Sequence, residues 1–293
     1  MQNDSLDEFK LHRGRLYGIA YRMLSSKADA EDVLQEAYIR WHATDVAQIL
    51  NAQAWLVTVT TRLSIDCLRL LQRERETYSG PWLPEPLVWS EPVTPEWAVE
   101  LASDVSMAFL LLLERLTPEE RAALLLHDIF DVEYVAISDM LGKTQSTCRQ
   151  LVHRARERVS LPRARFKVDH ELHRNLLERF VQAANSGNLA DLRALMASDA
   201  LLMADGGGKV VSVNRILYGA DRIARLYHVA ARQFGSACRY QFAMINGIPG
   251  LLRYVEDGLD ATISIDTNGQ QLTAIYTVRH PDKLQNVARA LLS

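Results

Sequence analysis

Apolar residues recur at helical spacing through the first half of the chain, then give way to short alternating runs in the last third. Leu16, Ile19, Ala20 and Met23 mark one helix. Val33, Leu34, Ala37, Tyr38 and Trp41 mark a second, and Trp55, Val59, Leu63 and Cys67 a third. Breaks fall at Ser25-Ser26 and between Thr44 and Asn51, inside a helical block spanning residues 5–78. Residues 79–97 break the pattern. They hold five of the nine prolines, at Pro81, Pro84, Pro86, Pro92 and Pro95. Proline fixes φ and removes an amide donor, so this is an extended linker. It also carries Trp82, Leu83, Leu87, Trp89 and Trp97, too much apolar surface for a free coil, and is predicted to lie against a folded surface. Helical periodicity resumes over residues 98–161. There Thr117-Pro118-Glu119-Glu120 supplies an N-cap, a proline at the first helical position and an acidic first turn.

From residue 170 to 293 the texture changes. Leu172, Leu176, Phe180, Val181 and Ala184 predict a helix ending at Asn185-Ser186-Gly187-Asn188, and Leu189–Met196 a short second one. Strand-like runs follow at Leu201–Ala204 and Lys209–Val213, joined by Asp205-Gly206-Gly207-Gly208, which reads as a hairpin. A helix spans about Asp221–Phe234. Four strands come next, at Arg239–Ile245, Leu251–Val255, Ala261–Ile265 and Leu272–Val278. Asn246-Gly247, Asp257-Gly258 and Asn268-Gly269 mark their turns. Helices before an antiparallel meander indicate α+β. The fold class is therefore multidomain, with two all-α helical domains and a C-terminal α+β domain.

Composition narrows the function. A 293-residue chain with 48% hydrophobic residues has room for two or three cores. The net charge of -3 excludes a general polyanion binder, so any basic site must be local. The three cysteines, Cys67, Cys148 and Cys238, lie far apart and have no metal-ligand spacing. Free thiols in a reducing, cytoplasmic setting are expected, with no metal and no required cofactor. The polar start and the lack of a long apolar run argue against a signal peptide or membrane span.

The basic site falls within residues 133–167. Ile137 and Leu141 share a helix face, with the small Ser138 beside them. Gly142 permits a left-handed turn, Thr144 can cap a second helix, and Cys148 and Leu151 bury that helix on the first. This is helix-turn-helix spacing. The second helix carries Arg149, Gln150, His153, Arg154, Arg156 and Arg158, and Glu157 is the only acid between Lys143 and Lys167. Arg149, Gln150 and His153 could reach base edges, while Arg154, Arg156 and Arg158 suit phosphates.

Two helical blocks, the second ending in a helix-turn-helix, resemble bacterial sigma factors of the extracytoplasmic-function group in the sigma-70 family. The stretches FKLHRGRLYGIAYRMLSSKADAEDVLQEAYIRW and AWLVTVTTRLSIDCLRLLQRERE resemble their region two. LTPEERAALLLHDIFDVEYVAISDMLGKTQSTCRQLVHRARERV resembles their region four. WLPEP, DGGGK and HPDKL resemble the subgroup with a fused C-terminal SnoaL-like cone. The resemblance implies core RNA polymerase (β′ clamp helices and β flap) and promoter DNA as partners. Asp32, Gln35, Glu36, Arg40 and Trp41 would contact polymerase. Thr61, Arg62, Asp66, Arg69 and Arg73 would read the -10 element, although Arg62 stands where many relatives have asparagine. The -35 element would fall to Ser146 and Thr147 with the six polar residues above. Trp82, Leu83, Pro84, Asp205, Gly206, Gly207, Gly208, Lys209, Pro281, Asp282 and Lys283 would form a regulatory contact between linker and cone. A separate anti-sigma factor would not be obligatory.

Two other readings compete. A one-component regulator with a ligand-sensing cone needs only the helix-turn-helix. A cone isomerase or hydrolase tethered to DNA needs a paired acid and base, with Asp199, Asp205, Tyr218, His228 and Asp266 as candidates. No spacing pairs them, and no catalytic residue is assigned.

Overall fold

The structure is a computed structural model that describes residues 2–45, 49–89, 105–159 and 170–292. The expectations for Pro92, Pro95, Trp97 and the basic stretch 163–167 fall outside the described residues. Those described divide into two compact units: residues up to 76 with 105 and 109–159, and residues 77–89 with 106–108 and 170–292.

The first unit opens with α1 (Gln2–Leu24), α2 (Lys27–Ala43) and α3 (Ala52–Arg75). The helix starts are written locally. Ser26 accepts from the Asp29 amide at 3.3 Å and Asn51 from the Ala54 amide at 2.9 Å. Leu16, Ile19, Leu34, Leu56 and Leu68 are buried. Trp41 is fully buried, with its ring 5.4 Å from that of Trp55.

The same unit resumes at Phe109 within α4 (Met107–Leu113) and continues with α5 (Pro118–Leu124), which runs into a single π-turn at Leu125–Ile129. The capping box at Thr117 closes in both directions: its amide donates to Glu120 at 3.1 Å, and the Glu120 amide donates to its hydroxyl at 3.3 Å. Then come α6 (Tyr134–Leu141) and α7 (Gln145–Arg158). Gly142 sits between them at φ 61°, and Thr144 caps α7 by accepting from the Thr147 amide at 3.2 Å. Ile137 and Met140 of α6, and Cys148, Leu151, Val152 and Ala155 of α7, are buried.

The second unit is α+β. Its elements are β1 (Val88–Trp89), α8 (His170–Ser186), α9 (Leu189–Leu195), β2 (Met196–Asp205), β3 (Leu217–Tyr218), α10 (Ala220–Phe234), β4 (Cys238–Ile245), β5 (Ile248–Val255), β6 (Gly258–Thr267), β7 (Leu272–Val278) and α11 (Pro281–Leu292). The sheet order is β1-β4-β5-β6-β7-β2-β3; among the described residues only the β2–β7 pair is parallel. Neighbouring strand residues point to opposite faces. Leu251 thus joins Phe180, Ile223 and Tyr227 under α8 and α10, while Leu252 joins Val88, Ile245 and Val287 on the α11 face.

Three expectations need correction. Lys209–Val213 is no strand: among the described residues it joins no ladder, and residues 206–209 form a turn without a hairpin. The partners of β2 are instead β3, antiparallel at Leu217–Tyr218, and β7, through a parallel register reached after the chain has crossed over α10. The turn between β5 and β6 is Glu256-Asp257, at φ 50° and 64°, not Asp257-Gly258; Gly258 already pairs with Val255. Glycine occupies the strand start because the two left-handed positions fell one residue earlier. By contrast Asn246-Gly247, at φ 53° and 75°, forms the two-residue turn its sequence predicts.

Candidate nucleic-acid interface

In the helix-turn-helix, Ser146, Gln150 and His153 are exposed, and Thr147 hydrogen-bonds Thr144 at 2.9 Å. The Arg149 guanidinium lies 5.2 Å from the centre of the Tyr134 ring, which holds it at the front of α7. The three arginines expected to be free for phosphates already have acidic partners. Arg156 donates to Asp128 at 2.9 Å and Arg158 to Glu120 at 2.6 Å, while Arg154 lies 3.7 Å from Glu120. Asp128 keeps the Arg156 pKa raised, chiefly through that hydrogen bond. These side chains stay about half exposed, so each can still face a phosphate from a fixed position.

On α2, Asp32 and Gln35 are exposed, and Glu36 accepts from Arg40 at 2.8 Å across one helical turn. Trp41 departs from the expected surface. It is core, and it fixes α2 on α3 rather than offering a contact. Exposed Ile39, which the sequence reading passed over, lies beside Arg40.

On α3, Thr61 is buried and is removed from the -10 face in this arrangement. Arg62 is exposed, but its guanidinium donates to the Met140 and Asp139 carbonyls of α6 at 2.8 and 3.0 Å. Arg69 joins Asp66 at 2.9 Å and Glu119 at 3.2 Å; Arg73 is exposed. Further along, Arg75 pairs with Glu114, which also receives the fully buried Arg121 at 2.9 Å. Arg121 donates in addition to the Met23 carbonyl at 2.7 Å. Burial pulls the Arg121 pKa down, and Glu114 opposes that. Sequence reasoning missed this knot, since Arg75 and Met23 join it from other helices and nothing local marks a charge as buried.

In the second unit the linker residues 83–88 are buried. Their anchor is Asp205 at the end of β2, itself fully buried. Its carboxylate accepts from the Tyr78 hydroxyl at 2.6 Å, the Leu83 amide at 3.1 Å, the Gly207 amide at 3.0 Å and Lys283 at 2.7 Å. Lys283 also donates to the Leu83 carbonyl and lies 4.6 Å from the Trp82 ring centre. Farther along, Glu85 accepts from Asn286 at 2.8 Å, the Leu87 amide donates to the Asn246 side-chain oxygen, and the Asn246 amide donates to the Leu87 carbonyl, each at 2.8 Å. Val88 then pairs with Ile245 in the sheet. Pro84 is buried within this run, and exposed Lys209 pairs with exposed Asp282, next to Pro281.

Each glycine of the turn has its own cause. A Cβ on Gly206 would meet Ser212 and the Val210 carbonyl at 2.7 and 2.8 Å. On Gly207, at φ 61°, it would strike the His280 ring at 1.9 Å, and on Gly208, at φ 70°, it would crowd Ser79 at 3.1 Å. Of the acid–base candidates, His228 bonds the Gly187 carbonyl at 2.7 Å and Asp266 accepts from Tyr276 at 2.8 Å. Asp199 and Tyr218 are exposed, so these groups are dispersed rather than gathered round one cavity. The three cysteines are free. Among the described residues no helix is long and apolar enough to cross a membrane.

Comparison with known proteins fixes the class. Residues 9–74 match the family model Sigma-70 region 2, and residues 106–159 match Sigma-70, region 4. A region 2 helical bundle followed by a region 4 helix-turn-helix defines a sigma factor, the promoter-directing subunit of RNA polymerase. The chain is 34% identical over 289 residues to the ECF RNA polymerase sigma factor SigJ of Mycobacterium tuberculosis, covering 95% of this chain and 92% of that one. It is 31% identical over 279 residues to the probable ECF RNA polymerase sigma factor SigI of the same species, covering 94% and 93%. The crystal structure of M. tuberculosis SigJ superposes with a TM-score of 0.77 at 32% identity, over 96% of this chain and 98% of that one. The chain belongs to the ECF sigma factors, and its last third is the α+β domain expected.

Proposed function

We propose that this sigma factor divides its work among three surfaces and is governed in cis by its C-terminal domain. The exposed front of α7, with Ser146, Arg149, Gln150 and His153, reads the -35 element. Arg154, Arg156 and Arg158, steadied by Glu120 and Asp128, hold flanking phosphates. Arg62, Asp66, Arg69 and Arg73 on α3 serve the -10 element. Asp32, Gln35, Glu36 and Arg40 on α2 meet the β′ clamp helices of core polymerase, and region 4 meets the β flap.

The observation that carries the regulatory part is the Asp205 anchor. The linker joins the region 2 and region 4 segments along the chain, and the cone grips it by a buried carboxylate, a lysine and a strand pairing. Whatever loosens that grip frees the linker, and a few kcal/mol suffice to shift such a two-state balance. Control in cis makes an obligatory anti-sigma partner unnecessary. The cone acts as a regulator rather than a catalyst, in the cytoplasm where polymerase is found.

The test is transcription in vitro with core polymerase on a library of random promoters. Wild type should select a two-element promoter. The Gln35→Lys/Glu36→Lys variant should lose polymerase binding at moderate salt while keeping its fold. Selection of no promoter, or full polymerase binding by the double variant, would refute the assignment.

A further inference from the structure

Helix α10 buries Ile223, Ala224 and Tyr227 against the sheet. Its outer side carries Arg222, Arg225, Val229 and Arg232, all exposed. Steps of three, four and three residues keep these positions within about 80° of arc and spread them over about 15 Å. Asp221 is the only acid on the helix, and Arg193 of α9 already takes it. Exposed Arg40 and Arg174, by contrast, each have an acid one turn away, Glu36 and Glu178. Among the described residues the three α10 arginines have no carboxylate at ion-pair distance. The chain as a whole carries a net charge of -3, so this stripe does not follow from composition.

We propose that the α10 stripe grips the phosphate backbone of duplex DNA outside the two promoter elements. Guanidinium forks match phosphate oxygens two at a time, and three on one line suit a repeating row of them. Val229 supplies an apolar contact between the charges. Phosphate contacts carry no base information, so the surface adds affinity without altering promoter choice. The occupant follows from charge complementarity and tethering. Regions 2 and 4 deliver duplex DNA to the same molecule, so a weak patch on a third domain works at high local concentration. The inference therefore rests on promoter binding by the sigma regions.

The experiment uses the full chain assembled with core polymerase, on a duplex promoter recovered from the random library. Affinity is measured from 50 to 200 mM salt for wild type and for Arg222→Gln/Arg225→Gln/Arg232→Gln. Each lost phosphate contact lowers the slope of log affinity against log salt by about 0.9, so the triple change should lower it by about 2 to 3. Hydroxyl-radical protection outside the -10 and -35 elements should vanish, while protection at those elements persists. That persistence separates failure of this proposal from failure of the promoter reading. A control, Arg174→Gln/Arg179→Gln/Arg289→Gln, removes equal charge elsewhere on the unit and should leave the slope unchanged. Unaltered slope and footprint in the stripe variant overturn the proposal, and so does an equal effect in the control. Loss of polymerase affinity at an unchanged slope also overturns it, by showing that the stripe meets an acidic protein surface.

Discussion

Replacing Asp205 with alanine removes the acceptor for four donors at once: the Tyr78 hydroxyl, the Leu83 and Gly207 amides and Lys283. The site is fully buried, and the Lys283 side chain is only 14% exposed, so water replaces little of what is lost. Stranding one partner of a buried ion pair costs about 3–5 kcal/mol. Since each 1.4 kcal/mol is a factor of ten, opening of the linker should become at least about a hundredfold more frequent. Amide hydrogen exchange of the peptide covering residues 81–88 reads this directly, because Leu83 and Leu87 donate their amides to the cone. Lys283→Met should loosen the peptide comparably by stranding the carboxylate. The double variant, with both charges gone, should cost at least about 2 kcal/mol less than the two single costs combined. Reporter transcription at matched protein levels should change in both single variants. Exchange rates within tenfold of wild type in both singles, with an additive double, would show that this carboxylate does not hold the linker.

Three further outcomes follow from the geometry. Arg149→Ala and Gln150→Ala should each cost about 1–3 kcal/mol of discrimination at the -35 element; unchanged promoter selection in both would remove α7 as the reading helix. Burial pulls the His173 pKa down from 6.5 to about 4, with the Pro249 backbone partly opposing. The unfolded chain takes that proton first, so stability is full above about pH 6.5 and falls by up to about 3 kcal/mol toward pH 4. Urea midpoints measured across that window should fall less steeply in His173→Leu, and an identical slope would contradict the reasoning. Gly142→Ala and Gly207→Ala both place a side chain at φ 61°, but only Gly207 is crowded, by the His280 ring. The first should cost about 1–2 kcal/mol and the second clearly more by urea denaturation; equal costs would show that His280 moves aside freely.

Much of this protein was legible in the chain because its signals are local. Ser26, Asn51, Thr117 and Thr144 cap helices using amides three residues away. Gly142 and Asn246-Gly247 announce turns by their own φ preferences. Helical and alternating periodicities separated two helical blocks from an α+β domain before any contact was known. The aromatic, proline-rich linker announced burial by composition, and residues 83–88 are buried.

What the chain could not declare depends on groups brought together from afar. Nothing near Trp41 distinguishes a docking residue from a core one; the Trp55 ring across the bundle decides it. Arg156 and Arg158 read as free cations until α5 and its π-turn bring Glu120 and Asp128 beside them. The Lys209–Val213 run has strand propensity, but a strand exists only where a partner ladder forms, and β2 pairs with β7 on one edge and with Leu217–Tyr218 on the other, which leaves that run outside. Asp205 is one more aspartate before glycines until Tyr78, Leu83 and Lys283 converge on it from sequence separations of 127, 122 and 78 residues. Sequence sets torsions and periodicities, which act over a few residues; burial and charge pairing are properties of the assembled fold, and those decide which of its many charged side chains remain available for function.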